Sequence, residues 1–519
     1  MSRRRPPKRV RGIAPPRTPA APGPYELPTW AGATLLGVVL AAGAAVRAWV
    51  SLRDDGIYWP DEIYQSLEPA HRLVFGRGLR AWEFVEGGRS WAFPGVVAAI
   101  MKLAALVGLD EPREYITAEK LAFVLLAGAT AFGTYRLARA LGASTLAAIS
   151  GAALFSLSAM PIYFGGRALS ENASAAAVVF GLALVLPRGS GRIEWMAGAA
   201  LLGVATMFRL QNALFAAGSL AVLLVQQRPR ALATATTTLA AVALVFGALD
   251  WVTWGAPFKS ALVNVRKNIE QAGDPEVMAA VWFVPPPSYY VTSLWSSMGA
   301  ATIAGVALAV VGARRSIELA ALAALYVLAH ALVPHKELRF LIPLVPLIGA
   351  LAALGVDAVA STARTQRWRG PAAAGALVAA SIVSGIGVQG LRFVDVGVLL
   401  GRDLYDEHGI ARKISIDTTA YDVPGPVDRL LIAASALPDV CGLKVEAVRK
   451  EYHGGYTYFH RAIPLYRQGG PPRSSGFFNY AIALRTYAGA GEIRASEGDM
   501  ALVRIGDACK PDPAFNDRL

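Results

Sequence analysis

The chain has 519 residues, 54% of them hydrophobic and only 17% charged, with a formal net charge of +13. Soluble proteins carry about 25% charged residues, and the apolar residues here gather into runs of roughly 20, the length that spans a bilayer. These figures exclude an ordinary cytosolic enzyme and a disordered chain, and they predict a polytopic membrane protein.

Residues 1–17 hold seven basic groups and no acid, and residues 1–27 are rich in Pro and Arg. They are expected to form a disordered basic cytoplasmic tail. The apolar run 30–50 is too long for a signal-peptide core and has no convincing processing site after it, so it reads as a retained span. Segment 51–90 follows with seven acids and five Arg. Coming after a span that starts inside, it is expected to be the first extracytoplasmic loop. Apolar runs then recur to about residue 391, giving about 11 transmembrane helices within a membrane domain over 28–394. Short basic clusters at 228–230, 314–315 and 364–369 match the positive-inside pattern of cytoplasmic loops. A DNA-binding face would concentrate its cations; these are dispersed, so no nucleic-acid partner is expected.

Residues 395–519 hold 15 basic and 16 acidic groups and are expected to form an extracytoplasmic α/β domain. Short β-type runs at 430–434, 443–448, 481–485 and 501–505 are separated by Gly, Pro and Asp turns. Cys441 and Cys509 both fall here. Outside the cell they could pair; two reduced, buried cysteines are an equal reading.

The polar chemistry concentrates in two places. In Pro60-Asp61-Glu62-Ile63-Tyr64-Gln65-Ser66-Leu67-Glu68-Pro69-Ala70-His71, adjacent carboxylates stand beside a membrane face. One carboxylate suffices as the base of an inverting glycosyl transfer, because attack comes from the face opposite the leaving group. The alternative is an Asp that caps a surface helix. The second place is His335-Lys336-Glu337-Leu338-Arg339-Phe340, between apolar runs. Its ionisable groups need partners, and a Lys and Arg facing a cavity suit a phosphate; a loop of mutually paired or solvated charges is the alternative. Arg167, Glu171, Asn172, Arg209, Gln211 and Asp250 are further polar points in or beside spans, of which Arg209 reads as structural. Asn172-Ala173-Ser174 fits a glycosylation triplet but opens an apolar run, which argues against modification. No phosphate-binding Gly loop, zinc spacing or nucleophile elbow is present. No cofactor is expected, and a carboxylate-held divalent metal stays open.

The sequence His335-Lys336-Glu337-x-Arg339-Phe340, with Pro343 after it, resembles the signature of the family-22 glycosyltransferases. These are the Alg9-like members of the GT-C superfamily that build the GPI anchor and lipid-linked N-glycan precursors. The 60–71 segment, with Gly76, Gly78 and Trp82-Glu83, is most similar to the GPI-anchor branch. Arg89-Ser90 with Pro94, Arg167-x-Leu169-Ser170, and Asp250 with Gly255 and Asn264 also match, so the resemblance covers about residues 50–350. It implies an α-helical polytopic GT-C membrane fold, a polyprenyl-phosphate sugar donor (usually mannose), a glycan or lipid-linked acceptor, and an active site on the extracytoplasmic face. It implies Asp61, with Glu62 beside it, as catalytic, and His335, Lys336 and Arg339 as binders of the donor phosphate. The matched residues Gln65, Glu68, His71, Glu83, Arg89, Arg167 and Glu337 become candidates for substrate binding.

The chain departs from the family at Pro285-Pro286-Pro287-Ser288-Tyr289-Tyr290, where eukaryotic members carry His and Trp. The aromatic stretch Gly454-Gly455-Tyr456-Thr457-Tyr458-Phe459-His460 reads either as glycan contact or as a packed lid. The Ala- and Arg-rich composition suggests a bacterium of high GC content, which lacks dolichol and GPI anchors. A rival reading is a transporter or flippase of a lipid-linked sugar. It would use the same cations without a base, but it predicts inverted repeats, and the sequence has no such symmetry.

Overall fold

A computed structural model describes residues 25–53, 55–56, 60–272, 286, 288–361, 368–387, 404–405, 411–412, 425–447, 453–468, 476–487 and 491–518. Most of the expected N-terminal tail, most of the basic cluster at 364–369, and Pro285 and Pro287 lie outside the described residues. The rest is a helical bundle carrying a small sheet.

Four helices are long and apolar enough to cross a membrane: Thr29–Arg53, Pro112–Ala140, Pro229–Trp254 and Arg369–Ile386. Seven shorter apolar helices of 10–17 residues pack among them. By length and composition, four described helices are thus able to cross a bilayer on their own, and the expectation of about 11 spans is not settled by this criterion. Not every apolar run is one unbroken helix. The run 144–162 becomes Thr145–Leu157 and Ala159–Phe164, parted at Ser158 in an extended conformation. On the outer surface of Pro229–Trp254, Leu244, Val245 and Val252 are exposed, as a lipid-facing wall requires. Inside, helices approach at small residues: a Cβ on Gly355 would lie 1.9 Å from the Leu308 carbonyl of helix Ala300–Gly312. Without a hydrophobic drive between helices in lipid, such close backbone packing supplies the contact energy.

The sheet has five strands: β3 (Leu443–Val445), β4 (Leu465–Tyr466), β5 (Tyr480–Leu484), β6 (Glu492–Glu497) and β7 (Met500–Arg504), in the order β4-β3-β5-β7-β6. A separate short pair joins β1 (Leu404–Tyr405) to β2 (Ala411–Arg412). Strand β3 runs parallel to both neighbours, whereas β5, β7 and β6 are antiparallel. The expected strand at 430–434 is instead part of helix Gly425–Ser435. Val427, Leu430, Leu431 and Ala434 are its buried apolar side chains. Their spacing follows the helical period, with Pro426 near the start. Cys441 and Cys509 form a disulfide, which resolves the reading left open by the sequence.

The sheet does not have a core of its own. One apolar cluster runs from Ile63, Leu67, Val97 and Phe123 of the membrane part through Leu431 and Leu443 to Phe459, Tyr480 and Ile482. Segment 60–123 and the C-terminal sheet are thus packed as one body, and this places the 60–83 stretch between bundle and sheet.

Candidate active site

The segment after the first long helix opens with a single turn, Pro60–Glu62, passes through a wide π-type turn, Ile63–Leu67, and continues as helix Glu68–Phe75. A π-turn is a local insertion that often accompanies a functional position. Here it separates two groups of side chains.

Asp61 and Glu62 point into the bundle. Arg339 ion-pairs with Asp61 through Nη2. Its Nε contacts Glu337 Oε2 at 2.5 Å, its Nη2 contacts Glu337 Oε1 at 2.9 Å, and its Nη1 lies 3.1 Å from Glu171 Oε1. Arg209 Nη1 reaches the same Glu171 oxygen at 3.0 Å. Three carboxylates and two guanidiniums thus form one cluster built from four separate stretches of chain.

Each member is positioned by its local structure. Val333 is extended before Pro334, which ends helix Ile317–Leu332. The 3₁₀ turn Leu338–Leu341 then turns Arg339 inward. Glu171 sits in the first turn of helix Ser170–Val185, where the helix dipole favours a negative charge. Arg209 ends helix Arg192–Phe208 in an extended conformation. It lies over the Phe340 ring at 4.4 Å, and Arg339 lies over the same ring at 5.3 Å.

Glu62 takes a separate partner. Arg167 Nη1 donates to Glu62 Oε2 at 2.9 Å and to the Gly56 carbonyl at 3.1 Å, and its guanidinium rests 4.5 Å from the Tyr163 ring. The Asn172 amide donates to the carbonyls of Phe164 and Arg167. Asn172 is therefore buried in this turn, which suits the reading that it is not a glycosylation site. Asp250 accepts from the backbone and hydroxyl of Ser260 and so ties helix Lys259–Ala272 to the preceding span, a structural role.

Arg89, Glu83 and Gln65 complete the surroundings of Asp61. Gln65 Nε2 donates to Glu83 Oε1 at 2.9 Å. Burial pushes the Glu83 carboxyl up, Arg89 opposes that shift and Asp61 adds to it. Burial pulls the Arg89 guanidinium down, against the attraction of Glu83 and Asp61. Among the described residues, neither Arg89 nor Lys336 has a carboxylate within ion-pair distance. Lys336 is buried, its ammonium donates to the Pro334 carbonyl at 3.5 Å, and burial pulls that ammonium down. His335 Nε2 is 2.7 Å from Glu337 Oε1. Burial alone would raise the Glu337 carboxyl, but Arg339 and His335 hold it well below the usual range.

Glu68 and His71, candidates for substrate binding in the sequence, face the C-terminal part of the chain and not the Asp61 cluster. Glu68 is fully buried against the C-terminal part of the chain. Its oxygens accept from the Leu79 N–H, the Thr457 N–H and the Thr457 hydroxyl, each at 2.6 Å. Gly455 adopts φ +59°, and a Cβ there would lie 2.5 Å from the Glu68 carboxyl carbon. Only glycine serves on both counts. His71 bonds the Arg77 carbonyl through Nδ1 and His460 through Nε2 at 2.8 Å. The aromatic stretch 454–460 forms helix Gly455–Phe459, all of it buried, so it is packing and not an open glycan surface.

Sequence reasoning left Glu171 outside the site and read Arg209 as structural. The sequence showed two opposite charges in apolar surroundings, but not that they meet each other. Among the described residues, no three His, Cys, Asp or Glu side chains are placed to hold a metal ion.

A sequence model of the Alg9-like mannosyltransferase family matches residues 38–390, more than half of the chain. GPI mannosyltransferase 3 of Yarrowia lipolytica is 33% identical over 319 residues, which cover 59% of each chain. The human GPI alpha-1,2-mannosyltransferase 3 is 38% identical over 82 residues, 16% of this chain and 15% of that protein. The match thus spans less than two thirds of the length of these relatives. Among solved structures, ArnT from Cupriavidus metallidurans bound to undecaprenyl phosphate superposes with a TM-score of 0.59 at 13% identity, over 92% of this chain and 99% of that one. The Archaeoglobus fulgidus oligosaccharyltransferase AglB, in complex with an inhibitory peptide and a dolichol-phosphate, gives 0.54 at 12% identity, over 88% and 70%. At such identities these likenesses speak for the fold: an α-helical polytopic membrane architecture of GT-C type with a small C-terminal sheet.

Proposed function

The chain belongs to the Alg9-like mannosyltransferase family, and on that premise we propose that it is an inverting glycosyltransferase. It moves mannose from a polyprenyl-phosphate donor to a glycan or lipid-linked acceptor on the extracytoplasmic face. The names of its relatives support the sugar. The polyprenyl phosphates bound by two proteins of like fold support the donor class.

One observation carries the assignment of the base. Asp61 is 26% exposed at its side chain, while Glu62, Glu171 and Glu337 are at 9%, 0% and 5%. All four are paired with Arg, but only Asp61 also faces open space. Its Oδ2 is held by Arg339, leaving Oδ1 for an acceptor hydroxyl. The acceptor O–H proton passes to Asp61 as the oxygen attacks the anomeric carbon. The bond from that carbon to the phosphate oxygen breaks, its electron pair stays on oxygen, and the polyprenyl phosphate leaves. Phosphate needs no general acid. Lys336 and Arg89, cations without a carboxylate partner among the described residues, meet its charge. Preorganised cations of this kind act where negative charge develops.

The test uses the purified chain, radiolabelled polyprenyl-phosphate mannose and candidate acceptor lipids. Asp61→Asn is expected to lower kcat by roughly 10²–10⁴-fold with little change in KM for the donor. Transfer at the wild-type rate by Asp61→Asn would remove Asp61 as the base.

A further inference from the structure

We propose that helix Lys259–Ala272 is a membrane-surface element. Its outward face docks into the acyl-chain boundary of the leaflet on the Asp61 side, with Leu262, Val265 and Ile269 set among the lipid chains. This goes beyond the transferase reading and does not depend on it.

The helix divides by face, and the division is the reverse of a soluble protein's. Ser260, Val263, Asn264 and Lys267 recur at helical spacing and form its buried or half-buried side. On the opposite side Leu262, Val265 and Ile269 are 67%, 45% and 68% exposed. The polar side chains thus turn toward the protein and the apolar stripe turns away from it. Such a stripe marks a partner that is itself apolar. Beside it, Arg266 pairs with Glu270 at 2.6 Å. The exposed face therefore carries no net charge, which points to hydrocarbon and not to an anionic surface.

The connection to the preceding span sets the depth. After Pro229–Trp254 the chain turns back through Gly255 at φ +77° and Phe258 at φ +58°. The Phe258 ring meets Phe246 edge-on with centroids 6.0 Å apart. Asp250 Oδ2 accepts from the Ser260 N–H at 2.8 Å and from its hydroxyl at 2.6 Å. Phe246 and Asp250 lie about two turns and one turn before the end of the span. The helix therefore starts level with the last turns of the span and not beyond them. It joins a wall on which Leu244, Val245 and Val252 are already turned outward. Tryptophans mark the same level: Trp251 is exposed, and the Trp254 ring lies 6.0 Å from that of Trp91. Trp is enriched where a bilayer meets water.

The other side of the helix holds the loop that carries Glu83 and Arg89. Lys267 Nζ lies 3.2 Å from Glu86 Oε2, and a Cβ on Gly88 would lie 3.3 Å from Val263. Trp254 Nε1 donates to the Arg89 carbonyl at 3.0 Å. Docking the stripe into lipid thus fixes the height of this loop against the bilayer.

The experiment uses the full chain in phosphatidylcholine vesicles. Cys441 and Cys509 are joined to each other, so a cysteine introduced by Leu262→Cys, Ile269→Cys or Glu492→Cys alone takes a thiol-directed spin label. Labels at 262 and 269 are expected to relax with oxygen, which concentrates in hydrocarbon, and to be shielded from a water-soluble nickel chelate. The label at 492, on an exposed strand, should show the reverse order. Two positions on the stripe keep the test decisive if one variant does not fold. Nickel access at 262 and 269 equal to that at 492 would overturn the proposal and place the helix in water. Shielding from both reagents, with spin–spin broadening that disappears on dilution with unlabelled protein, would overturn it in favour of a second copy of the chain. Oxygen access that is lost only when polyprenyl phosphate is added would overturn it in favour of an isoprenoid chain. All of these readouts are independent of transfer, so failure of the mannosyltransferase reading leaves the result intact.

Discussion

Glu62 and Glu68 stand in one continuous helical stretch and both are buried, yet they are held in opposite ways. Glu62 faces a guanidinium, Arg167, inside the bundle. Glu68 faces donors from the Leu79 backbone and from Thr457, with no cation within ion-pair distance among the described residues. Burial pushes the Glu68 carboxyl up to about 7, only partly offset by those hydrogen bonds. The contrast shows what a motif can hide. Two acids of similar spacing and composition belong to different tasks, one in a charged network beside Asp61 and the other in the seam that joins the sheet to the bundle.

The largest effect should come from breaking the charged side. Glu62→Gln removes the carboxylate to which the buried Arg167 guanidinium donates, while the Gly56 carbonyl and the Tyr163 ring stay beside it. Removing one member of a buried pair costs about 3–5 kcal/mol. The expected outcome is a lower Tm and loss of activity in proportion to loss of folded protein, measured by thermal unfolding in detergent. A Glu62→Gln protein as stable as wild type would mean that Arg167 is solvated and that the contrast is overstated.

A second test sharpens the seam. Helix Gly455–Phe459 is fixed by Glu68 and flanked by His71, His453 and His460. Burial pulls these histidines down, His71 to about 3 and His453 to about 4. A histidine with a depressed folded pKa contributes stability above its unfolded value of about 6.5. That contribution is lost as pH falls through the folded value. Glu68 works in the opposite direction: raised to about 7, its contribution is present below about 4.5 and lost as pH rises through 7. Three histidines outweigh one glutamate between pH 6.5 and 4.5, so the seam should loosen on acidification. Hydrogen exchange at 455–459, corrected for intrinsic rates, should be faster at pH 5 than at pH 7.5. Slower exchange at pH 5 would mean that Glu68 dominates.

What the sequence made legible follows the same division. Asp61 and the His335–Phe340 stretch stood out because charges crowded against apolar runs require an explanation. The GT-C architecture followed from the apolar runs and the matched motifs. The Glu171–Arg209 contact could not be read, because pairing two lone charges 38 positions apart requires the helix packing itself. The separation of Glu68 and His71 from Asp61 was equally hidden. Their partners Thr457 and His460 lie almost 400 positions away, and nothing local distinguishes a carboxylate that awaits a ligand from one that accepts three protein donors. The 430–434 stretch was misread for a simpler reason: a five-residue apolar run has no resolvable period, and the deciding residue, Val427, lay outside it.

The smallest expected effect lies at the outer edge of the seam. Asp517 receives Arg72 and Arg80 from the first segment, with the Arg80 contact at 2.7 Å, and the backbone of Arg80 donates to the Asp517 carbonyl at 2.8 Å. These side chains are 20–33% exposed, so solvent screens them and much of the Coulomb gain is spent on ordering flexible arginines. Such pairs contribute about 0.2–1 kcal/mol, well below the buried Arg167 pair. Arg72→Ala should therefore leave kcat unchanged and shift stability by no more than that, with the shift shrinking as salt is raised. A double-mutant cycle with Asp517→Ala measures it directly. A coupling above about 2 kcal/mol would exceed what an exposed pair supplies and would mean that this edge is drier than its exposure indicates. The seam would then be held by charge as the Asp61 cluster is, and the contrast between the two regions would narrow.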